Sequence, residues 1–455
     1  MRTLLNRVGP LGVAAIILGS NLILSSCAQE VVAAPPGEAE PVAGKRVFAG
    51  AIGYGAATAG GDGGKIIYVS NHSDAGPGSL RACLTSTGKR VCVFRVGGVF
   101  RFTTTPPIIK DPYLTIAGQT APGGGVVIAH AGGNQARTPI VIKRTHDVIV
   151  RHVRVRLDRL SGNRESDDGF TIEDSFNVIL DHVSASWASD ELVNGYADND
   201  RITISNSLFS YGIPRHDKCA LLASDPKDAQ NVSFIANICA HNGDRNPDIN
   251  FPPGSCVEVI NNVFYNAQSQ FAEVWETYGG TPVSIVGNSF IGGRDTTANA
   301  QGVVREIFGS TGLASIYLWN NTFSGDFEHV TASAEAVLTE TPPCPLTINP
   351  AAAATAYDAV LAGSGAWPRD TLDRGVVADI RRGSGNIDDR PGTLPSPIAE
   401  APYPDTDRDG MDDRWEQTHG ADPRVSDPWA DADGDAYSNF EDFLAYREQM
   451  LRPST

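Results

Sequence analysis

The chain has 455 residues, of which 41% are hydrophobic, so it can form one large globular domain with small appendages and is not a disordered protein. Its formal net charge of −17 argues against a protein that wraps nucleic acid. The 47 Gly and only 3 Met indicate many tight turns, which favours an all-β fold over a helical one.

The first 26 residues have the features of an export signal. A positively charged start is followed by an apolar run over residues 11–24, which is too short to span a bilayer comfortably. The run ends in LSSC, which resembles a bacterial lipobox, so residues 1–26 are predicted to be a lipoprotein signal peptide and Cys27 the lipidated residue. Ala28 follows rather than Asp, which favours an outer-membrane anchor; the alternative is an ordinary signal peptide with a chance Cys. The protein is expected to be exported, either lipid-anchored at the cell envelope or secreted, and to be a monomer.

The cysteine count is consistent with export. Six cysteines remain besides Cys27, namely Cys83, Cys92, Cys219, Cys239, Cys256 and Cys344. An even number in an exported protein permits up to three disulfides. Cys83 and Cys92 are close enough in sequence to clip a short loop, and the pairing of the other four stays open.

Two Pro-rich segments divide the rest of the chain. Residues 27–45 are rich in Ala, Pro and Glu and are predicted to be a flexible tether. Residues 396–404, SPIAEAPYP, are predicted to be a linker. Between them residues 46–395 form the main domain. Residues 405–446 form a separate acidic module, since residues 401–455 carry 14 acidic and 5 basic side chains.

Short β-branched runs recur through the main domain, each followed by Asn or a turn residue. They include NVILDHVSASW from Asn177, RITISNSLFSYG from Arg201, NVSFIANICAHNG from Asn231, CVEVINNVFYN from Cys256, PVSIVGNSFIGG from Pro282 and ASIYLWNNTFSG from Ala314. A repeat of roughly 24 to 32 residues with short strands is typical of a solenoid, in which stacked coils bury one continuous apolar column. The pattern predicts a right-handed parallel β-helix. The Asn residues of SNS, INN, GNS and WNN are predicted to form an internal ladder, which a β-sandwich would not explain.

Residues 351–386 interrupt the repeat. They begin with AAAATAYDAVLAGSG, which predicts a helix ended by Gly. This helix is expected to pack across the outside of the solenoid.

The acidic module contains the spacing of an EF-hand calcium loop. In DTDRDGMDDRWE, Asp405, Asp407, Asp409 and Glu416 occupy loop positions 1, 3, 5 and 12, and Met411 supplies the carbonyl of position 7. No clear helix precedes this loop, so the module resembles a dockerin or an extracellular calcium module. Its predicted role is structural, with docking to a partner as the alternative.

A second, weaker loop follows in DADGDAYSNFED. Its candidate calcium ligands are Asp431, Asp433, Asp435 and Asp442. Ala stands where Gly is expected and Asp stands at position 12. The apolar residues between and around the loops are predicted to form a small core, namely Met411, Trp415, Tyr437 and Phe440.

The start of the main domain resembles a known family. The segments GYGAATAGGDGGKIIYVSNHSDAGPGSLRACL from Gly53 and LTIAGQTAPGGGVVI from Leu114 are similar to the opening strands of polysaccharide lyase family one, the pectate lyases, in its pectate trisaccharide-lyase-like branch. The resemblance covers about residues 46–386. It implies β-elimination on pectate (polygalacturonate), an acidic plant polysaccharide, with Ca²⁺ as the cofactor.

Two acidic motifs are candidates for the calcium site. DDGFTIED contains Asp167 and Asp168, and SWASDELV contains Asp190 and Glu191. Carboxylates on successive coils would converge as the hard oxygen ligands that Ca²⁺ requires. By the resemblance, Asp168 and Asp190 align with family ligands and Glu191 is a third, whereas the choice between Asp167 and Asp168 stays open. A further family Glu falls near Ser186 here, and Glu191 is expected to compensate.

Two basic motifs are candidates for the substrate and base functions. RHDKCALLASD contains Arg215, His216 and Lys218 and resembles the family segment whose Lys binds the substrate carboxylate. HNGDRNPDINF contains Arg245, which matches the family's catalytic base in an Arg-x-Pro pattern. An Arg base implies an alkaline pH optimum, because the pKa of Arg ordinarily exceeds about 12.

The same basic motif also departs from the family. Asp248 and Asn250 stand where the family often has further Arg residues. The binding of the substrate is therefore expected to differ from that of the family. Asp181 is expected to be structural, and the neighbouring His182 is a weaker alternative to the Arg base.

Two other functions remain open at this point. A β-helix glycoside hydrolase would need a tight carboxylate pair, which the two acidic motifs could mimic. A surface glycan-binding lipoprotein without catalysis is the other alternative. The observation in its favour is Asn250, which stands where the family often has Arg.

Overall fold

Three long parallel sheets wind around a single apolar column. The computed structural model describes residues 33–162, 167–396 and 398–452, so the predicted signal peptide and Cys27 lie outside the described residues. The sheets have ten, nine and nine strands, and successive coils pair in parallel with one strand in each sheet. The predicted parallel β-helix is therefore confirmed.

The strands are grouped by sheet. Sheet 1 comprises Lys65–Val69, Arg90–Phe94, Leu114–Ala117, His146–Arg151, Phe176–Asp181, Asp200–Ser205, Asn231–Ile235, Cys256–Ile260, Pro282–Val286 and Ser315–Trp319. Sheet 2 comprises Gly98–Phe102, Val126–His130, Val153–Arg156, Ser184–Ser186, Leu208–Ser210, Ile238–Ala240, Val263–Tyr265, Ser289–Ile291 and Thr322–Ser324. Sheet 3 comprises Ile108–Ile109, Ile140–Lys143, Phe170–Glu173, Glu191–Tyr196, Lys218–Ser224, Asp248–Ile249, Gln270–Trp275, Gln301–Glu306 and Glu328–Val330.

Helices are few and short. They are Leu80–Leu84, Ala332–Glu335, Ala353–Gly363, Thr371–Arg382, Asp413–His419 and Asn439–Leu451, with a 3₁₀ turn at Gly118–Thr120. Within the described residues, none of them combines the length and apolar character that crossing a membrane requires.

The core is built from side chains stacked in register. In sheet 1, Val148, Val178, Ile202, Val232 and Val257 pair as neighbours on successive strands, and all are buried. Stacking identical positions removes a continuous strip of apolar surface from water, which a single coil could not do.

The predicted Asn ladder is present at a bend of the coils. The backbone N–H of Asn237 donates to Asn262 Oδ1 (2.8 Å), that of Asn262 to Asn288 Oδ1 (2.8 Å), and that of Asn288 to Asn321 Oδ1 (2.9 Å). One detail differs from the prediction. In the motif SNS the ladder position belongs to Ser207, and Asn206 takes the preceding left-handed bend position with φ of 49°.

Residues 33–64, the N-terminal strap, run along the outside of sheet 1. Their backbone N–H groups donate to oxygens of successively earlier coils: Ala34 to Glu340 O, Tyr54 to Ser233 Oγ, Gly55 to Thr203 Oγ1 and Gly61 to Thr115 Oγ1. A Cβ on Gly61 would lie 2.1 Å from Arg90 O, so this position of the strap requires Gly. The described part of the predicted tether, residues 33–45, thus lies along the last coils.

Two helices cover sheet 2. Ala353–Gly363 is the predicted helix, whereas Thr371–Arg382 was not anticipated. The second helix is held by ion pairs between fully buried groups, with Arg156 Nη2 lying 2.6 Å from Asp373 Oδ1. Removing one partner of such a buried pair typically costs about 3–5 kcal/mol.

The acidic module packs on sheet 1. Met411, Trp415 and Phe440 form a buried cluster, as predicted, whereas Tyr437 lies outside it. The cluster also contains Phe443 and Leu444 and continues into the β-helix through Val91, Val93 and Ala117. The predicted linker is also in contact with the β-helix, since the N–H of Gly124 donates to Ile398 O (3.1 Å).

The last helix is anchored by a carboxylate. Arg151 Nη2 donates to Glu448 Oε2 (2.7 Å), and His152 Nε2 lies 3.4 Å from the same oxygen. Burial alone would raise the pKa of Glu448, but these neighbours hold it far below its ordinary value. His182 lies here as well, with Nε2 at 2.8 Å from Arg452 Nη2, so this alternative base lies where the end of the last helix meets the β-helix.

The six cysteines form three disulfides. Cys83 pairs with Cys92, as expected for a short loop, and the remaining pairs are Cys219–Cys239 and Cys256–Cys344.

Candidate active site

The predicted site residues lie where the strands of sheet 3 begin. Glu191 and Lys218 are the first residues of neighbouring strands and face each other in the pairing register. The N–H of Gly169 donates to Glu191 O (2.9 Å), and the N–H of Ala220 donates to Arg245 O (2.9 Å). Motifs separated by one coil in sequence are therefore side by side in space.

Three carboxylates converge on one point. Asp168, Asp190 and Glu191 each offer an oxygen, and these atoms lie within 4.8 Å of one another. Thr171 Oγ1 and Asn194 Nδ2 donate to Asp168 Oδ2 at 2.5 and 3.1 Å. Asp168 Oδ1 is buried without a hydrogen-bond partner. Burying an unpaired carboxylate oxygen is costly unless a bound cation compensates for the missing hydrogen bond. The donor set therefore fits a hard cation such as Ca²⁺.

The electrostatics of this cluster point the same way. Burial, and after it the charge of Glu191, raises the pKa of Asp168 well above its ordinary value. Burial and the neighbouring Asp190 raise the pKa of Glu191 to about 7, although Arg245 acts in the opposite direction. The carboxylates repel one another, and a cation between them would relieve that repulsion.

Asp167 does not join the cluster. Its Oδ2 lies 4.0 Å from His130 Nε2, and both of its carboxylate oxygens are buried without a hydrogen-bond partner. Of these two adjacent residues, Asp168 is the one grouped with Asp190 and Glu191. Ser186 is also turned away, because its Oγ accepts a hydrogen bond from Arg156 Nη1 (3.2 Å) inside sheet 2.

The cationic residues are paired with carboxylates. Lys218 Nζ contacts Asp244, and Arg245 Nη1 contacts Glu191. Arg245 Nε lies 3.5 Å from Asp248 Oδ2. Burial alone would lower the pKa of Arg245, but the surrounding carboxylates, Asp248 foremost, outweigh it and raise the pKa.

The other two basic residues lie at the edge of the cluster. His216 Nδ1 is 2.9 Å from Asp190 Oδ1, and the His216 side chain is 40% exposed. Arg215 is exposed. His216 thus contacts a candidate metal ligand directly.

Sequence reasoning missed a second acidic group beside Arg245. Glu273 Oε1 accepts the N–H of Arg245 (2.8 Å), and Glu273 pairs in register with Asp248 on the next strand. Burial and Asp244 raise the pKa of Glu273 to about 7. Burial and Glu273 raise the pKa of Asp248 well above its ordinary value. Aligning the coils by their Asn ladder would have placed Glu273 next to the site.

Comparison with known proteins gives relatives over most of the chain. No protein-family model matches the sequence. The chain is 31% identical over 446 residues to a probable pectate lyase C of Aspergillus flavus, covering 90% of this chain and 94% of the relative. It is 31% identical over 405 residues to a probable pectate lyase C of Aspergillus fumigatus, covering 84% of this chain and 89% of the relative.

Solved structures agree on the fold. The cedar-pollen allergen jun a 1 has a TM-score of 0.52 at 19% identity, covering 70% of this chain and 92% of that one. The thermostable pectate lyase PL 47 has a TM-score of 0.50 at 15% identity, covering 70% of this chain and 98% of that one. At such identities the likeness supports the architecture alone.

Proposed function

Because the chain belongs to the pectate lyase family, we propose that it cleaves polygalacturonate by Ca²⁺-dependent β-elimination and releases 4,5-unsaturated oligogalacturonides. The observation that carries this proposal is the carboxylate cluster beside Lys218 and Arg245 on neighbouring coils. A cation-binding cluster next to two basic side chains suits an anionic sugar.

The reaction begins with neutralisation of the substrate carboxylate. Ca²⁺ held by Asp168, Asp190 and Glu191 would supply Lewis-acid neutralisation of the uronate group. Lys218 binds the same group, exchanging its contact with Asp244 for one with the substrate. Less negative charge on the carboxylate makes the neighbouring C5 proton easier to remove.

Arg245 takes the C5 proton in its neutral form. The electron pair of the C5–H bond forms the C4–C5 double bond, the C4–O bond breaks, and water protonates the departing oxygen. Neutral Arg is scarce near neutral pH, because the pKa of Arg ordinarily exceeds about 12. The rate is therefore expected to rise towards alkaline pH.

The remaining proposals concern export and the acidic module. Residues 1–26 direct export and Cys27 carries the lipid anchor. The module binds Ca²⁺ in a structural role, supported by carboxylate groupings in its first loop and in the exposed second loop, where Asp431, Asp433 and Asp435 come together. Asp442 is the remaining candidate of the second loop.

The test is ultraviolet absorbance of the unsaturated product, measured on polygalacturonate at pH about 9 with Ca²⁺ or with chelator. We expect a Ca²⁺-dependent rise that Arg245→Ala abolishes. Arg144→Ala is the matched control, because Arg144 is an exposed residue next to a sheet 3 strand and is paired with Asp174. New reducing ends without absorbance would indicate a hydrolase. Binding without turnover would indicate a glycan-binding protein.

A further inference from the structure

The first loop of the acidic module departs from EF-hand geometry at position 9. Asp413 occupies this position, but its Oδ1 accepts the N–H of Thr406 and its Oδ2 accepts the Thr406 hydroxyl, both at 2.7 Å. Asp413 therefore bonds Thr406, the second residue of the loop, and it is in neither of the two carboxylate groupings of this loop.

A different carboxylate reaches the loop from outside it. Asp427, in the segment between the two loops, offers an oxygen within 4.8 Å of ligand atoms of Asp409 and Glu416. Asp409 is shared with a second grouping that contains Asp405 and Asp407. The two groupings thus meet at Asp409.

An unpartnered buried side chain points into the same place. Glu416 is 0% exposed, and neither of its carboxylate oxygens has a hydrogen-bond partner. Both oxygens of Asp407 are likewise buried without partners. Leaving such groups unpaired is costly, so a ligand of positive charge is expected between them.

We propose that Asp427 completes the first calcium site of the module in place of Asp413. The site then comprises Asp405, Asp407, Asp409, Glu416 and Asp427, with the Met411 carbonyl as in EF-hand loops. Several carboxylates with a carbonyl match the six to eight oxygen ligands typical of Ca²⁺. This inference rests on the calcium-binding role proposed for the module.

Two contacts connect this site to its surroundings. Asn439 Nδ2 donates to Asp427 O (3.1 Å) and Oδ1 (3.3 Å). Asn439 is the ninth residue of the second loop, so this loop holds Asp427 in place. The Tyr68 hydroxyl of the first coil donates to Asp405 Oδ2 (2.5 Å). Ion binding therefore joins the first loop, the second loop and the β-helix.

The test is calorimetric titration with CaCl₂ of the full chain in which Asp168→Asn, Asp190→Asn and Asp433→Asn disable the other candidate sites. In this background we expect Asp427→Asn to weaken calcium binding about tenfold or more, because a charged ligand is lost. Asp413→Asn is the matched control and is expected to change the affinity less than about threefold. Circular dichroism checks folding, and Asp427→Ser replaces Asp427→Asn if the latter does not fold.

Two results would overturn the inference. If Asp413→Asn weakens calcium binding as much as Asp427→Asn or more, Asp413 is the ligand, as in an ordinary EF-hand loop. Absence of calcium binding in the background chain would overturn both this inference and the proposed role of the module. Neither result depends on lyase activity, since the titration reports only on the first loop.

Discussion

Glu191→Gln is expected to stabilise the calcium-free protein while removing its response to calcium at the active site. Glu191 is 1% exposed, and burial together with Asp190 raises its pKa from 4.5 to about 7. A shift of that size corresponds to roughly 3 kcal/mol of cost for the charged form. Gln has the same shape as Glu without the charge. The substitution also removes the contact with Arg245, so the gain in stability is at most roughly 3 kcal/mol.

The pH dependence follows from the raised pKa. Below about pH 4.5, Glu191 is protonated in both the folded and the unfolded state, so the charge has no effect on stability. Between pH 4.5 and about 7 the folded state holds the extra proton, and the stability of the wild type falls as pH rises. Above about pH 7 the full cost is present, so the advantage of Glu191→Gln is largest there.

The assay is thermal unfolding in chelator at pH about 5 and about 8, repeated with Ca²⁺. We expect the variant to exceed the wild type in chelator at the higher pH and to gain less from Ca²⁺. Glu173→Gln is the matched control, because Glu173 lies on a sheet 3 strand but is paired with Lys143 at 2.5 Å. A variant less stable than the wild type in chelator at the higher pH would refute the reasoning.

Three further predictions about the fold are tested by denaturant unfolding. Asn288→Ala should cost about 1–3 kcal/mol, because the N–H of Asn262 loses its acceptor and Asn321 Oδ1 loses the Asn288 Nδ2 donor; a loss below about 0.5 kcal/mol would contradict the ladder. Phe443→Ala should cost about 3–5 kcal/mol and Phe443→Leu less, since Phe443 is fully buried between the module and sheet 1; an exposed site would show no such order. Replacing Cys256 and Cys344 together by Ser should cost roughly 4 kcal/mol, because their bond closes a loop of 88 residues, whereas unchanged stability would mean the bond does not form.

Features that repeat along the chain could be predicted, because each coil has the same sequence pattern. The β-helix and the Asn ladder follow from the repeated coil length, whereas Asp168, Asp190 and Glu191 were selected by their resemblance to the family motifs. The choice between Asp167 and Asp168 could not be predicted. Adjacent residues before a strand point in different directions, and only the position of His130 shows where Asp167 turns.

Contacts between distant segments could not be predicted from the sequence either. The helix Thr371–Arg382 depends on Arg154 and Arg156, two buried residues of sheet 2 that resemble ordinary strand residues in sequence. Asp427 reaches Asp409 and Glu416 of the first loop of the module through a turn that no loop spacing encodes. Such pairings depend on tertiary packing, which a local pattern does not contain.

The N-terminal strap has a consequence for the order of assembly. Coils contact mainly their neighbours, so a solenoid can grow one coil at a time as the chain emerges. The strap is made before all the coils, yet its start is held by residues of the last coil, since Ala34 donates to Glu340 O and Tyr317 Oη donates to Ala34 O (2.5 Å). The start of the strap therefore docks last, and a chain truncated before the final coil would lack the groups that hold Ala34.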